Sequence, residues 1–165
     1  MCIRDSVSTA TPAATVEAWV KTTNTRGGRI VGFGDSATGT STSGITDRVL
    51  YLDNSGRANF AINDGSYRTI FSRTAVNDGN WHHIVGTVGA EGMQLFVDGK
   101  RVDRDQARTS PRIYDGYWRI GADQTNGFTN KPTNAGLAGT IDDVAVYPSA
   151  LTPADIQSHY LASGR

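Results

Sequence analysis

Apolar and polar residues alternate at near period two through most of the chain, in short runs broken by Gly, Asn and Asp. The clearest run is Asn80 to Val102, NWHHIVGTVGAEGMQLFVDGKRV. Trp81 to Val88 mixes apolar residues with His and Thr, and Gly89 to Gly92 supplies turn chemistry. Met93, Leu95 and Val97 then alternate with polar neighbours before Asp98-Gly99. Asp-Gly suits a turn that needs positive φ, which glycine adopts without steric cost, so Lys100-Arg101-Val102 starts a return strand. The stretch predicts a meander.

Val16, Ala18 and Val20 alternate with Glu17, Trp19 and Lys21, so one face of that strand meets a core and Trp19 lies on the other. Arg29 to Gly34 reads as a short strand whose glycines imply close backbone packing. Asp47–Asp53 and Arg57–Asn63 form a hairpin about Asn54-Ser55-Gly56, and Tyr67–Ser72 and Tyr117–Gly121 are further strands. In the last strand, Thr140–Tyr147, Asp142-Asp143 interrupts the alternation and predicts a bulge. Asp103–Pro111 reads as a charged connection. Two long stretches, Asp35–Thr46 and Ala122–Ala135, are polar loops, and loops of that length are usually functional or disordered. Thr152-Pro153-Ala154-Asp155 is a helix start, with Thr as N-cap, Pro at the first position and an acid at the third. The helix runs to about Ala162, with Ile156 and Tyr160 as its apolar edge and Gly164 as its stop.

The 165 residues are the size of one domain. Sixteen basic and sixteen acidic residues cancel, which removes the global field that nucleic acid or an anionic membrane would need. Nineteen glycines and a single segment of helical period predict an all-β chain of short strands. One cysteine permits no internal disulfide, and no apolar run has the length of a membrane span, so no membrane insertion is expected. Met1–Ser6, MCIRDS, reads as an adapter-derived leader. Residues 1–12 are therefore taken as a non-native or disordered leader and 13–165 as the domain, with any signal peptide or opening strand lost upstream.

The stretch WHHIVGTV…GMQLFVDGKRV resembles the central hairpin of laminin G-like, concanavalin A-like jelly-roll domains. VEAWVKT at Val16–Thr22 is similar to an earlier strand of that family. GLAGTIDDVAVYPSALTPADIQSHY at Gly136–Tyr160 is similar to its closing strand and helix, as found in bacterial laminin G-like modules and pentraxins. The resemblance implies a two-sheet antiparallel jelly-roll sandwich with one short C-terminal helix. It also implies a non-catalytic binding module of a larger secreted or cell-surface protein, joined to further domains. The implied partner is a glycan, with an extracellular protein as the alternative in an adhesion or spacer role, and a glycoside hydrolase less favoured.

A hydrolase needs paired carboxylates on one face, yet the only glutamates are Glu17 and Glu91, and the neighbours Asp142 and Asp143 would diverge on a regular strand. His82-His83 diverge likewise, which predicts one histidine against the core, one on the surface and no zinc site. Calcium takes oxygen ligands of the kind polar loops offer. By resemblance to the pentraxin site, Asp47 falls near one element of such a site and Asp123 with Gln124 near the other. Thr125 stands where a second acid would be, and Asp142 or Asp143 is the alternative ligand. For a sugar, an aromatic platform beside amides is required. Tyr117, Trp118 and Phe128 with Asn126 and Asn130 supply it, Phe128 being expected exposed and Trp81 core.

Overall fold

The computed structural model describes residues 7–37 and 42–165, and of residues 2–3 the backbone. β8 (Trp81–Gly89), β9 (Gly92–Val97) and β10 (Lys100–Asp105) form the expected meander. Asp98 and Gly99 both take positive φ, 51° and 74°, the pair of left-handed residues that a two-residue hairpin matched to right-handed strand twist requires. β10 runs farther than its charge suggested: Asp103, Arg104 and Asp105 pair with Leu95, Gln94 and Met93. The ladder to β9 outweighs the low strand propensity of aspartate.

Around the meander stand β1 (Cys2–Ile3), β2 (Ser8–Thr9), β3 (Ala14–Lys21), β4 (Gly28–Gly34), β5 (Thr46–Leu52), β6 (Arg57–Asn63) and β7 (Tyr67–Ala75). β11 (Asp115–Ile120) and β12 (Thr140–Tyr147) complete the strands, and α1 (Pro153–Ala162) follows. One sheet has the order β1-β11-β4-β5-β6-β7, with β2 also on β11, and the other β10-β9-β8-β3-β12. This is the two-sheet antiparallel jelly roll that the sequence predicts. Of the expected leader, residues 1 and 4–6 lie outside the described residues. Cys2–Ile3 pairs with Ile120 and Arg119, and Ser8–Thr9 with Gly116 and Asp115. The predicted bulge is present: the β12 register shifts between Asp142 and Ala145, and Asp143 has φ 47°.

Between the sheets, Val16, Ala18 and Val20 of β3 with Ile84 and Val88 of β8 face Leu50, Leu52, Phe60 and Ile62. Phe60 is 1 % exposed and reaches across to β8, where a Cβ on Gly86 would lie 2.3 Å from its ring. Gly86 is the hole that receives it. The other face of β3 and β8 carries Trp19, His83 and Val85, and α1 covers it. The capping box at Thr152 and Asp155 starts that helix, Ile156 packs with Val85 and Phe96, and Tyr160 stacks on Trp19 at 5.8 Å.

Trp81 shares the parity of His83 and Val85, so it points to this outer face and is not in the inter-sheet core. It is half-buried beneath the Arg165 guanidinium, 4.6 Å from the ring centre. His83 is buried beside Trp19, at 5.1 Å between rings, under the helix side of the sheet. His82 sits at the rim between Asp98 and Asp78, at 2.8 and 3.1 Å, and the hydrogen bond to Asp98 is the main cause that raises its pKa.

Because Gly86 is held to glycine by the Phe60 ring, Gly86→Ala is expected to destabilise by about 1–3 kcal/mol through overpacking. Phe60→Leu, which vacates part of that space, should absorb much of the penalty, so the double variant should be less destabilised than the sum of the two. Urea unfolding of the wild type and three variants checks this; strict additivity would count against the contact.

Candidate functional site

The alternation in β11 sends Trp118 and Ile120 inward to the core and leaves Tyr117 and Arg119 on the outer face of the larger sheet. Gly121, at φ 93°, then turns the chain out of the strand. The polar loop that follows is closed at its base by backbone pairing: Ala122 and Arg29 both bridge to Gly136, and Leu137 N–H donates to Arg29 C=O at 3.2 Å. It is a compact loop whose ends meet.

Its middle is pinned by Phe128, which is 5 % exposed, stacks on Tyr51 at 5.8 Å and meets Tyr67 edge-on at 4.5 Å. The Tyr51 hydroxyl donates to the Thr129 carbonyl. Asn130, with φ 54°, donates through its amide to Asn59 Oδ1 at 3.4 Å. Phe128 is thus a buried peg and not the exposed ring expected of it. The outer face of β5 and β6 offers Val49, Tyr51 and Ala61, and that apolar surface must be covered by something.

Beneath the loop lies a cavity of about 300 Å³. Arg119, Asp123, Gln124, Asn126, Lys131 and Asn134 are on its wall, with Thr42, Thr125 and Thr133. Asp123 anchors its inner side. The carboxylate accepts from Ser43 Oγ at 2.7 Å, Ser43 N at 3.0 Å and Gln124 N at 2.8 Å, and it lies 3.4 Å from Arg29 Nη1 and 3.2 Å from Arg119 Nη1. Burial alone would push this carboxyl up, but Arg29 and the Ser43 and Gln124 donors hold it below its ordinary value. Burial also brings the Arg29 guanidinium down to about 10, with Asp123 opposing and the like charge of Arg119 adding to the fall. Gly34 makes room for the group: a Cβ there would lie 2.2 Å from Ser43 Oγ and 3.1 Å from Asp123 Oδ2.

Of the predicted residues, Asp123, Gln124 and Asn126 are brought together on the cavity wall. Tyr117 is half-buried on the same face, opposite Gly34 in register. Trp118 points the other way, 5.3 Å from Phe33. Asp47 is elsewhere: fully buried, it pairs with Arg48 at 3.0 Å and accepts from Arg48 N and Asn63 N, and burial pushes its carboxyl up to about 6 against the pull of Arg48. Asp142 and Asp143 belong to the other sheet, exposed and held by Arg165 at 2.7 and 3.2 Å.

This donor set does not fit a calcium ion. The ion needs six to eight oxygens at about 2.3–2.6 Å, whereas Asp123 already faces two guanidinium groups and Asp47 a third. Gln124 Oε1 accepts from Asn126 N at 2.8 Å. Among the described residues no group of three His, Cys, Asp or Glu side chains is placed to hold a metal.

Arg29, Ser43, Arg119 and Lys131 were not anticipated. Lys131 had a sequence signal, as the only charge besides Asp123 in Ala122–Ala135, and Arg119 had its outward parity; Arg29 and Ser43 join only in three dimensions. A second grouping was also missed, beneath α1. Glu17 accepts from the Tyr147 hydroxyl at 2.9 Å and lies 3.1 Å from His159 Nδ1 and 3.4 Å from His83 Nε2, beside a cavity of about 290 Å³.

No helix among the described residues is long and apolar enough to cross a membrane. No curated protein matches the sequence. Among solved structures, the CBM40 module of Ruminococcus gnavus IT-sialidase, bound to α2,3 sialyllactose, is similar at TM-score 0.68 and 20 % identity, over 92 % of this chain and 83 % of that one. The heptameric SAP-like pentraxin of Limulus polyphemus is similar at 0.65 and 19 %, over 93 % and 72 %. Domains LG4–5 of the mouse laminin α1 chain are similar at 0.63 and 14 %, over 90 % of this chain and 40 % of that one. At these identities the likeness is one of fold. A family model, described as the concanavalin A-like lectin/glucanases superfamily, matches residues 1–157, and the chain belongs to that superfamily.

Proposed function

We propose that the chain is a non-catalytic carbohydrate-binding module whose site is the cavity under the 122–135 loop. The observation that carries this is the wall of that cavity. Gln124, Thr125, Asn126, Thr133 and Asn134 place amide and hydroxyl groups around about 300 Å³, within the size range of small-ligand sites. Sugar hydroxyls each donate and accept, and amides do the same, so such a wall answers a saccharide's hydrogen-bonding pattern. The sialyllactose in the Ruminococcus gnavus module supports the reading, because it lies on a protein of the same fold.

The carboxylates argue against hydrolysis. Hydrolysis of a glycoside takes a proton donor and a second carboxylate about 5–9.5 Å apart across an open groove. Among the described residues the cavity wall has one acid, Asp123, and Arg29 with the Ser43 and Gln124 donors holds it ionised. Glu17 has its oxygens engaged by Tyr147, His159 and His83. We place the module in a secreted or cell-surface protein, joined to further domains, as in the laminin chain and the sialidase whose domains it resembles.

Asn126 is exposed and Asn134 half-buried, so Asn126→Ala and Asn134→Ala should weaken binding by about 1–3 kcal/mol each and leave the melting temperature nearly unchanged. Phe128→Ala should lower stability by about 3–5 kcal/mol, because it removes the peg that holds the loop. A glycan array, then titration of the best binder with these variants, checks both. A blank array together with capture of an extracellular matrix protein would replace this reading with an adhesion role.

The guanidinium groups at Asp123 and Asp47 lead to a separate expectation. Thermal scans in millimolar calcium and in chelator should coincide. A site filled at about a hundred times its Kd would add about 2.7 kcal/mol, and a shift of that size would overturn the charge argument.

A further inference from the structure

Apart from the glycan site, we propose a second binding site, in the cleft between β7 and β10, for a small amphipathic anion: a hydrocarbon body carrying one carboxylate. β7 and β10 are edge strands of the two sheets. One hydrogen bond ties the edges together, Phe71 N–H donating to Asp103 Oδ2 at 3.0 Å. Just beyond it β7 departs from its partner: Phe71 pairs with Asn59 and Ala75 with Arg57, so four steps along β7 are set against two along β6. The Ser72 side chain stands in for the lost ladder, its hydroxyl accepting from Ala58 N at 3.0 Å and donating to the Thr74 carbonyl at 2.7 Å. A bulge bends the strand that carries it. The bulged stretch, Ser72 to Val76, lines one side of a cavity of about 610 Å³, about twice the volume of the one under the 122–135 loop, and Lys100, Val102 and Tyr160 are also on its wall.

The floor of this cavity is apolar. Val76 is 3 % exposed and Val97 half-buried, both against the inter-sheet core, while Val102 on the same wall is 37 % exposed. Such a surface favours an apolar body that gains by leaving water. The charged groups on the wall divide unequally. Asp98, the one acid among the described lining residues, is taken up: its Oδ2 lies 2.8 Å from His82 Nδ1 and its Oδ1 accepts from His83 N at 2.9 Å. Arg73 and Lys100 are exposed on the same wall and make no ion pair among the described residues. Of the residues outside the described set, 1 and 4–6 adjoin Cys2–Ile3, at the edge of its sheet opposite β7, and 38–41 carry no charge. A hydroxyl-rich sugar would gain little on the valine floor, whereas a hydrocarbon carboxylate answers both the floor and the two cations.

The experiment is calorimetric titration of the intact chain at low ionic strength with octanoate, octanamide and butyrate. Octanoate should bind at least about tenfold more tightly than butyrate, which has too little hydrocarbon to cover the floor. It should bind about threefold more tightly than the uncharged octanamide, an advantage that added salt reduces. Arg73→Gln combined with Lys100→Gln should erase the advantage over octanamide. Ala75→Phe, at an exposed position on the wall, should weaken octanoate at least about tenfold by filling the cavity, and neither variant should move the melting temperature or the binding of a glycan. Octanamide or butyrate bound as tightly as octanoate would overturn the proposal. So would an absence of octanoate binding, or octanoate binding undiminished in Ala75→Phe, and each of these results leaves the carbohydrate reading standing.

Discussion

A two-layer sandwich has one core and four sheet faces, and the two faces left outside must be covered or be polar. That constraint governs everything beyond the strands in this chain. Val16, Val20, Ile84, Leu50, Phe60 and Ile62 fill the space between the sheets, with the Phe60 ring seated over Gly86. What remains apolar outside is Val85 and Phe96 on one sheet and Val49, Tyr51 and Ala61 on the other. The chain meets the first with α1, through Ile156, and the second with the 122–135 loop, through Phe128. The second cover is a loop, held at its base by the bridges to Gly136 and at its middle by Phe128, and the cavity is lined by the stretches on either side of that peg.

Charge burial follows from the same cover. Once the loop closes over β4 and β11, the outward residues Arg29 and Arg119 lose water, and an isolated guanidinium there would be costly. Asp123 comes down from the loop to meet them, with Ser43 and Gln124 supplying the remaining hydrogen bonds. Such a cluster adds little net stability compared with an apolar packing of the same volume. Its effect is on register: only one placement of the loop brings Asp123 to both arginines while Phe128 reaches Tyr51. The site is therefore held from two points, one electrostatic and one apolar, and its polar wall lies between them.

Period-two alternation and turn chemistry locate the strands from β3 onward, short of the full length of β10, together with the bulge at Asp142-Asp143 and the capped helix, because each of those signals is local in sequence. The misreadings share one cause. The polar or apolar character of the neighbouring sequence points Phe128 outward and Trp81 to the core, whereas their burial is decided by elements far along the chain. Tyr51 and Tyr67 bury Phe128, and Arg165 covers Trp81 on a face that is not the core. Asp123 lies on a cavity wall, and the guanidinium groups it meets, Arg29 and Arg119, come from two strands that no local pattern connects to it. A carboxylate in a polar loop looks like a cation ligand until the guanidinium groups facing it are known.

The two anchors also separate what holds the loop from what it presents. Phe128 and the backbone pairing of Ala122, Arg29 and Gly136 fix the loop's path without using the side chains of Asn126, Lys131 or Asn134 on the cavity wall. Asn126 and Thr133 are exposed, and substitutions at such positions cost little stability. The ligand's chemistry can therefore change with the wall while the scaffold stays intact, which is how structures at or below 20 % identity come to share this sandwich. Lys131 belongs to the replaceable set and Arg29 and Arg119 to the scaffold, being buried against Asp123. The buried ion pairs of Asp123 are thus part of the support of the site, and Lys131, exposed at its mouth, is a residue the fold does not need.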